Sequence, residues 1–165
     1  MNDKKVGELV ATRNIKRDLT EIILDTHVEA HMLVKIVVDL NSKSTHKNDR
    51  LIKATSISKT NGSIRSSTKT VLKKNNYVLT MDGKRSTLKN KSLMGADMLY
   101  FKEPKNIKKA YALATGEMIK ITKAQNGIYY FEHDGKKEFH KYENGILAEV
   151  KIDHSLYSIT FNLKK

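Results

Sequence analysis

Five Asn-Gly or Asp-Gly pairs punctuate the chain, at Asn61-Gly62, Asp82-Gly83, Asn126-Gly127, Asp134-Gly135 and Asn144-Gly145. Such dipeptides suit two-residue hairpin turns, whose central residues need positive φ. Asn75-Asn76 and Thr115-Gly116 are weaker versions of the same signal. Between these points the side chains alternate. Ile64, Ser66, Thr68, Thr70 and Leu72 face one way, and Arg65, Ser67, Lys69, Val71 and Lys73 the other. Near the end, Tyr157, Ile159, Phe161 and Leu163 share a face opposite Ser158, Thr160, Asn162 and Lys164. Strands joined this tightly leave no room for crossover helices, so the expected fold is all-β. It is an antiparallel up-and-down meander, a single domain over residues 1–165. Roughly ten strands at hairpin spacing curl into a strongly curved sheet, half-barrel or barrel.

Residues 19–40, LTEIILDTHVEAHMLVKIVVDL, are the one serious helix candidate. Yet no even position from Ile22 to Leu40 is charged, and every acid and base there is odd-numbered. With its β-branched residues, this parity predicts strand. One strand of ~20 residues would run about 65 Å, so a bend or bulge is expected around His27 to His31. Residues 92–106, SLMGADMLYFKEPKN, lack a period of two and hold the single proline. A loop or helical turn is expected near Ser92 to Asp97, then a short strand at Leu99 to Lys102. Pro104 belongs at a strand start or edge, because it cannot donate to a ladder.

The 165 residues are enough to bury a core without metals or disulfides. With no cysteine there is no disulfide framework or thiol nucleophile. No run approaches the ~18 apolar residues of a membrane-spanning helix. The charge of +13 is uneven: Lys43 to Lys91 holds thirteen Lys/Arg against two acids, Asp49 and Asp82, a net of +11. Aromatics show the reverse bias. Of eleven Tyr and Phe, Tyr77 alone precedes residue 100, so the C-terminal half supplies the bulky filling.

Two binding readings follow. In the first, Met94, Met98, Leu99, Tyr100 and Phe101, with Val34 and Ile36 of the apolar even-numbered face, line a site for a lipid or other hydrophobic small molecule. The alternative for these residues is a plug that closes one end of the core. In the second, Lys69, Lys73, Lys74, Arg85 and Lys89 belong to a basic face. That face meets an anionic partner such as acidic polysaccharide, lipid head groups or nucleic acid. It also reads as a plain solvated surface that resists edge pairing. Tyr77 as the one aromatic, and the absence of a nucleic-acid motif, count against nucleic acid. His27, Glu29 and His31 would share a strand face. Neighbours there lie ~7 Å apart, too far to close around one metal ion, and the six histidines read as surface residues. The chain shows no nucleophile elbow, no phosphate-cradling loop and no paired carboxylates outside a solvated hairpin at Glu132, Asp134 and Glu138. No catalytic constellation, metal site or cofactor is therefore expected, and oligomeric state is not legible.

The run MLYFKEP (98–104), then AYALATGEM, then IYYFEHDGKKEFHKYENGILAEVKID resembles an exported all-β family of unknown function common in Bacteroidetes. Tyr100 to Pro104, Ala110 to Met118, Tyr129 to Lys137 and Tyr142 to Leu147 carry its segments, and KKVGELVATR its glycine-bearing second strand. The resemblance implies an exported protein, periplasmic or secreted, and carries over no catalytic residues. A non-enzymatic binding protein is the reading, with an enzyme of unrecognised type left open. Its members begin with a signal peptide and a first strand. The sequence given starts at the following turn, Asn2-Asp3, without that leader.

Overall fold

In the computed structural model, which describes residues 6–31, 35–89, 92–133, 136–153 and 158–164, the alternating segments form thirteen strands and one short helical turn. The strands make two antiparallel sheets, each in chain order from edge to edge. Among the described residues neither sheet closes into a barrel, and no helix is long and apolar enough to cross a membrane.

The chain divides into two compact units. The first comprises the residues up to Ser92 with Leu113–Gly116. It holds β1 (Gly7–Lys16), β2 (Leu19–His31), β3 (Lys35–Lys47), β4 (Arg50–Thr60), β5 (Ser63–Lys73), β6 (Asn76–Met81) and β7 (Lys84–Leu88). The second comprises Leu93–Ala112 and Glu117–Lys165. Its strands are β8 (Lys109–Ala112), β9 (Glu117–Gln125), β10 (Ile128–His133), β11 (Lys136–Glu143), β12 (Ile146–Asp153) and β13 (Ser158–Asn162).

The hairpin chemistry appears where the dipeptides sit. Asn61-Gly62 (φ 49° and 79°), Asp82-Gly83 (48° and 81°) and Asn144-Gly145 (54° and 79°) all have both residues at positive φ, the geometry of type I′ turns. At Asn126-Gly127 only the glycine is left-handed, at φ 74°, and the ladder shifts register beside it. Two further turns, Arg17-Asp18 and Asn48-Asp49, use residues the dipeptide rule passes over. The Asn75-Asn76 signal is displaced by one, since Lys73 pairs with Asn76 and Lys74 takes positive φ. Asp134-Gly135 lies outside the described residues.

Strand, not helix, is right for residues 19–31 and 35–40, residues 32–34 lying outside the described ones, but the segment is not one bent strand. It is β2 and β3 paired as a hairpin, with Ala30 opposite Ile36 and Val28 opposite Val38. Even residues pair with even residues, so the parity pattern runs through the reversal unbroken and hides it. The expected strand at Leu99 to Lys102 is also corrected. Ala96–Tyr100 is a 3-10 turn, closed by Met98 N–H to Gly95 O (3.2 Å) and Phe101 N–H to Met98 O (3.0 Å). Pro104 follows, itself buried, in a loop rather than at a strand edge.

The two units are filled differently. The inner face of the first sheet buries Ile22, Val28, Leu51, Ala54, Tyr77 and Leu79 among the hydroxyls of Ser42, Ser44, Ser56, Thr68 and Thr70. Each hydroxyl–hydroxyl or hydroxyl–carbonyl bond removes the cost of burying a polar group. Ser42 Oγ meets Ser56 Oγ at 2.8 Å, Thr68 donates to Leu113 O, and Tyr77 donates to Leu51 O at 2.8 Å. The second unit instead packs Leu99, Ile119, Ile121, Tyr129, Phe131, Tyr142, Leu147 and Val150 into one cluster. Tyr129 and Tyr142 meet edge to face at 5.6 Å, the arrangement that ring quadrupoles favour. The aromatic bias of the sequence is thus a bias of cores.

Candidate anion-binding face

Antiparallel register fixes which side chains share the outer face of the first sheet. Thr55 of β4 lies opposite Lys69 of β5, Lys69 opposite Thr80 of β6, and Thr80 opposite Arg85 of β7. Lys53 lies opposite Val71, two residues from Lys69, and Lys73 lies two residues further on. Lys69 and Arg85 are two strands apart, about 10 Å, and Lys69 and Lys73 about 13 Å apart along β5. Lys53, Lys69, Lys73, Arg85 and Lys89 are all exposed.

The acids of this face lie elsewhere. Three bases of β2 and β3 meet acids: Lys43 Nζ to Glu21 at 3.0 Å, Lys35 Nζ to Glu29 at 2.8 Å, and His27 Nδ1 to Asp39 at 2.6 Å. Asp82 is spent on β5, accepting from Ser67 N–H at 2.7 Å. Among the described residues no carboxylate stands within ion-pair distance of Lys53, Lys69, Lys73 or Arg85. The face is therefore zoned, charge-paired over β2–β3 and cationic over β4–β7. Lys69, Lys73, Arg85 and Lys89, expected from sequence as anion-binding residues, share this zone, and Lys74 sits at the turn beside it. Lys53, counted in the basic stretch but not among those five, joins them through its register against β5.

The residues expected to line a hydrophobic site are divided. Met94, Met98, Leu99, Tyr100 and Phe101 lie in the second unit and Ile36 on β3 of the first, while Val34 lies outside the described residues. Leu99 is a core residue, and Met94 and Tyr100 pack against the same cluster.

The expectation of surface histidines fails at two positions. His46 is fully buried, 2.8 Å from Ser44 Oγ through Nε2. His140 is buried on β11 and stacks against Phe131 at 4.2 Å. Its Nε2 lies 2.5 Å from Glu138 Oε1 and its Nδ1 3.4 Å from the Tyr142 hydroxyl. Strand parity explains this: Glu138, His140 and Tyr142 alternate onto the inner face. Glu132 turns outward to Lys137 while Glu138 meets His140, so these two carboxylates do not share one cluster; Asp134, expected beside them, lies outside the described residues. The Glu138–His140–Tyr142 chain has the order of a proton relay, but its phenol is committed, donating to Leu99 O at 2.6 Å. Burial, followed by the field of Glu103, holds the Tyr142 hydroxyl far above the usual phenol range. Burial and then Glu138 do the same for Tyr100. The Tyr142 hydroxyl thus stays a donor and ties the 3-10 turn to the sheet. Among the described residues no cluster of three His, Cys, Asp or Glu could hold a metal ion.

No curated protein matches the chain. Among solved structures it is similar to a beta-barrel-like protein of domain of unknown function DUF1849 from Brucella abortus. The TM-score is 0.52 at 15% identity, over 93% of this chain and 84% of that one. At that identity the likeness concerns the fold alone, and it agrees with the expected curved all-β architecture. A family model matches residues 1–164, nearly end to end. The chain belongs to the family defined by the domain of unknown function DUF6134.

Proposed function

We propose that the protein is a non-catalytic binding module whose cationic zone on β4–β7 engages an acidic polysaccharide. The zoning carries this reading: a solvated face has no need to gather its unpaired bases on four strands while pairing those of the neighbouring two. Cations about 10 Å apart are separated by roughly a Debye length at physiological salt. A small anion therefore gains little from them, whereas a polymer that spans several adds their contributions. Thr55, Thr80 and Thr87 stand between the cations on the same face, offering hydroxyls to sulfate, carboxylate or sugar oxygens. Tyr77, the one aromatic of the basic stretch, is fully buried, so the zone presents no ring on which a nucleobase could stack. An exported location, implied by the family resemblance, would place the module among acidic glycans.

Heparin and polygalacturonate binding, measured against salt for wild type and a Lys69→Glu/Arg85→Glu variant, tests the reading. Affinity should fall steeply with salt, with the slope reduced by about 1 per cation removed. The two outer-face changes should leave stability within about 0.5 kcal/mol. Binding that charge reversal leaves intact, or preferential binding to anionic vesicles or single-stranded DNA over both glycans, would overturn it.

A further inference from the structure

A second candidate site lies in the other unit. Two Asn-Gly turns, Asn126-Gly127 between β9 and β10 and Asn144-Gly145 between β11 and β12, emerge at the same end of the sheet. Gly127 holds them together. Its carbonyl accepts from Tyr142 N–H at 2.6 Å, and a Cβ there would stand 2.5 Å from Tyr142 O. Together with the loop after the 3-10 turn they border a shallow, open cleft of about 640 Å³. Its lining is unlike an apolar pocket: Glu103, Lys105, Asn106, Lys123, Asn126 and Asn144 surround it.

Glu103 is the most constrained of these groups. Its side chain is 11% exposed, and Oε1 accepts from the Tyr129 hydroxyl at 2.9 Å. Its Oε2 faces Lys105 Nζ at 3.7 Å, beyond hydrogen-bond distance. A largely desolvated carboxylate, fixed through one oxygen and loosely met at the other, is a preorganised acceptor for a ligand hydroxyl. Three primary amides add paired donors and acceptors, and two lysines against one glutamate leave the cleft net positive.

We infer that this cleft binds a small hydroxylated carboxylate of the uronic acid class. Glu103 and the asparagines take its hydroxyls, and Lys123 with Lys105 takes its carboxylate. The inference rests on the second unit alone and is independent of the basic face. The test is titration of the ¹⁵N-labelled full chain with glucuronate, using glucose and acetate as probes of each half of the ligand. Glucuronate should shift the Gly127 and Gly145 amide signals saturably, with each control weaker by ~10-fold or more, the value of one charge-assisted hydrogen bond. Glu103→Gln keeps an acceptor for Tyr129 and should weaken binding by a similar factor. Lys123→Glu, on an exposed strand position, provides a second variant that does not touch the core. The inference is overturned by three outcomes: no saturable shift with glucuronate, an equal response to acetate, or undiminished binding in both variants.

Discussion

The two units use one topology, a meander in chain order, with opposite fillings. The first places serine and threonine hydroxyls on its buried face and spreads its charge outward; the second packs rings. The contrast shows what an antiparallel sheet requires of its inner face. Small side chains suffice if every polar atom finds a partner. Rings bury far more area but must mesh. The second unit should therefore be the more sensitive to truncation. Phe131→Ala, which empties a position stacked on His140, should cost about 3–5 kcal/mol. Ser56→Ala, which leaves the buried Ser42 hydroxyl without its partner, should cost about 1–2 kcal/mol. Urea unfolding of both variants tests the ranking, with far-UV circular dichroism as the probe, since both units are built of strands. Equal losses would erase the distinction between the two cores.

Glycine substitution sharpens the same comparison at the turns. Gly62 and Gly127 have nearly the same backbone, φ 79° and 74°. Nothing stands within 4 Å of a Cβ at Gly62, whereas at Gly127 the Tyr142 carbonyl oxygen is 2.5 Å away. Gly62→Ala should thus cost about 1–2 kcal/mol, the left-handed term alone. Gly127→Ala must add the displacement of β11, for a total of about 3 kcal/mol or more. Thermal unfolding distinguishes them. Similar midpoints for the two variants would mean that the second unit tolerates movement of its turn, and the cleft beside it would not be a preformed site.

Much of this fold is written in local pattern. Turn dipeptides and parity define strands because φ preference and side-chain alternation are properties of a few neighbouring residues. Register is not local, and the misreadings share that cause. The reversal between β2 and β3 left parity unbroken. Tyr100 and Phe101 have strand propensity, yet burial of Leu99 and the Tyr142–Leu99 bond hold the segment as a 3-10 turn instead. His140 reads as a surface residue until Tyr129 and Val150 are placed on either side of it. The candidate sites divide in the same way. A basic stretch is visible as a count, but its segregation from Glu21, Glu29 and Asp39 requires strand pairing. Glu103, Asn126 and Asn144 are mutually distant in sequence, and only the shared end of the sheet makes them neighbours.

The smallest expected effect is complete at neutral pH, is lost only in alkali, and belongs to the aromatic unit. Burial, then the hydrogen bond to Glu103, pushes the Tyr129 hydroxyl up to about 12 from its ordinary 10.0. The folded chain therefore keeps a proton that the unfolded chain begins to lose near pH 10. Above that point the unfolded state binds fewer protons, so stability declines as pH rises. Below pH 10 this contribution is complete and constant, and it is lost as pH rises toward about 12. Tyr100 and Tyr142, held higher still, continue to favour the folded state's protons across the same window. Urea midpoints between pH 8 and pH 11.5 should thus be flat and then fall. Tyr129→Phe should make the fall shallower without abolishing it, because one of three such phenols is gone. A fall of equal steepness in the variant would show that Tyr129 titrates as a solvated phenol. The Glu103 carboxylate would then lack its anchor, and the polar cleft the preorganisation that argues for a ligand.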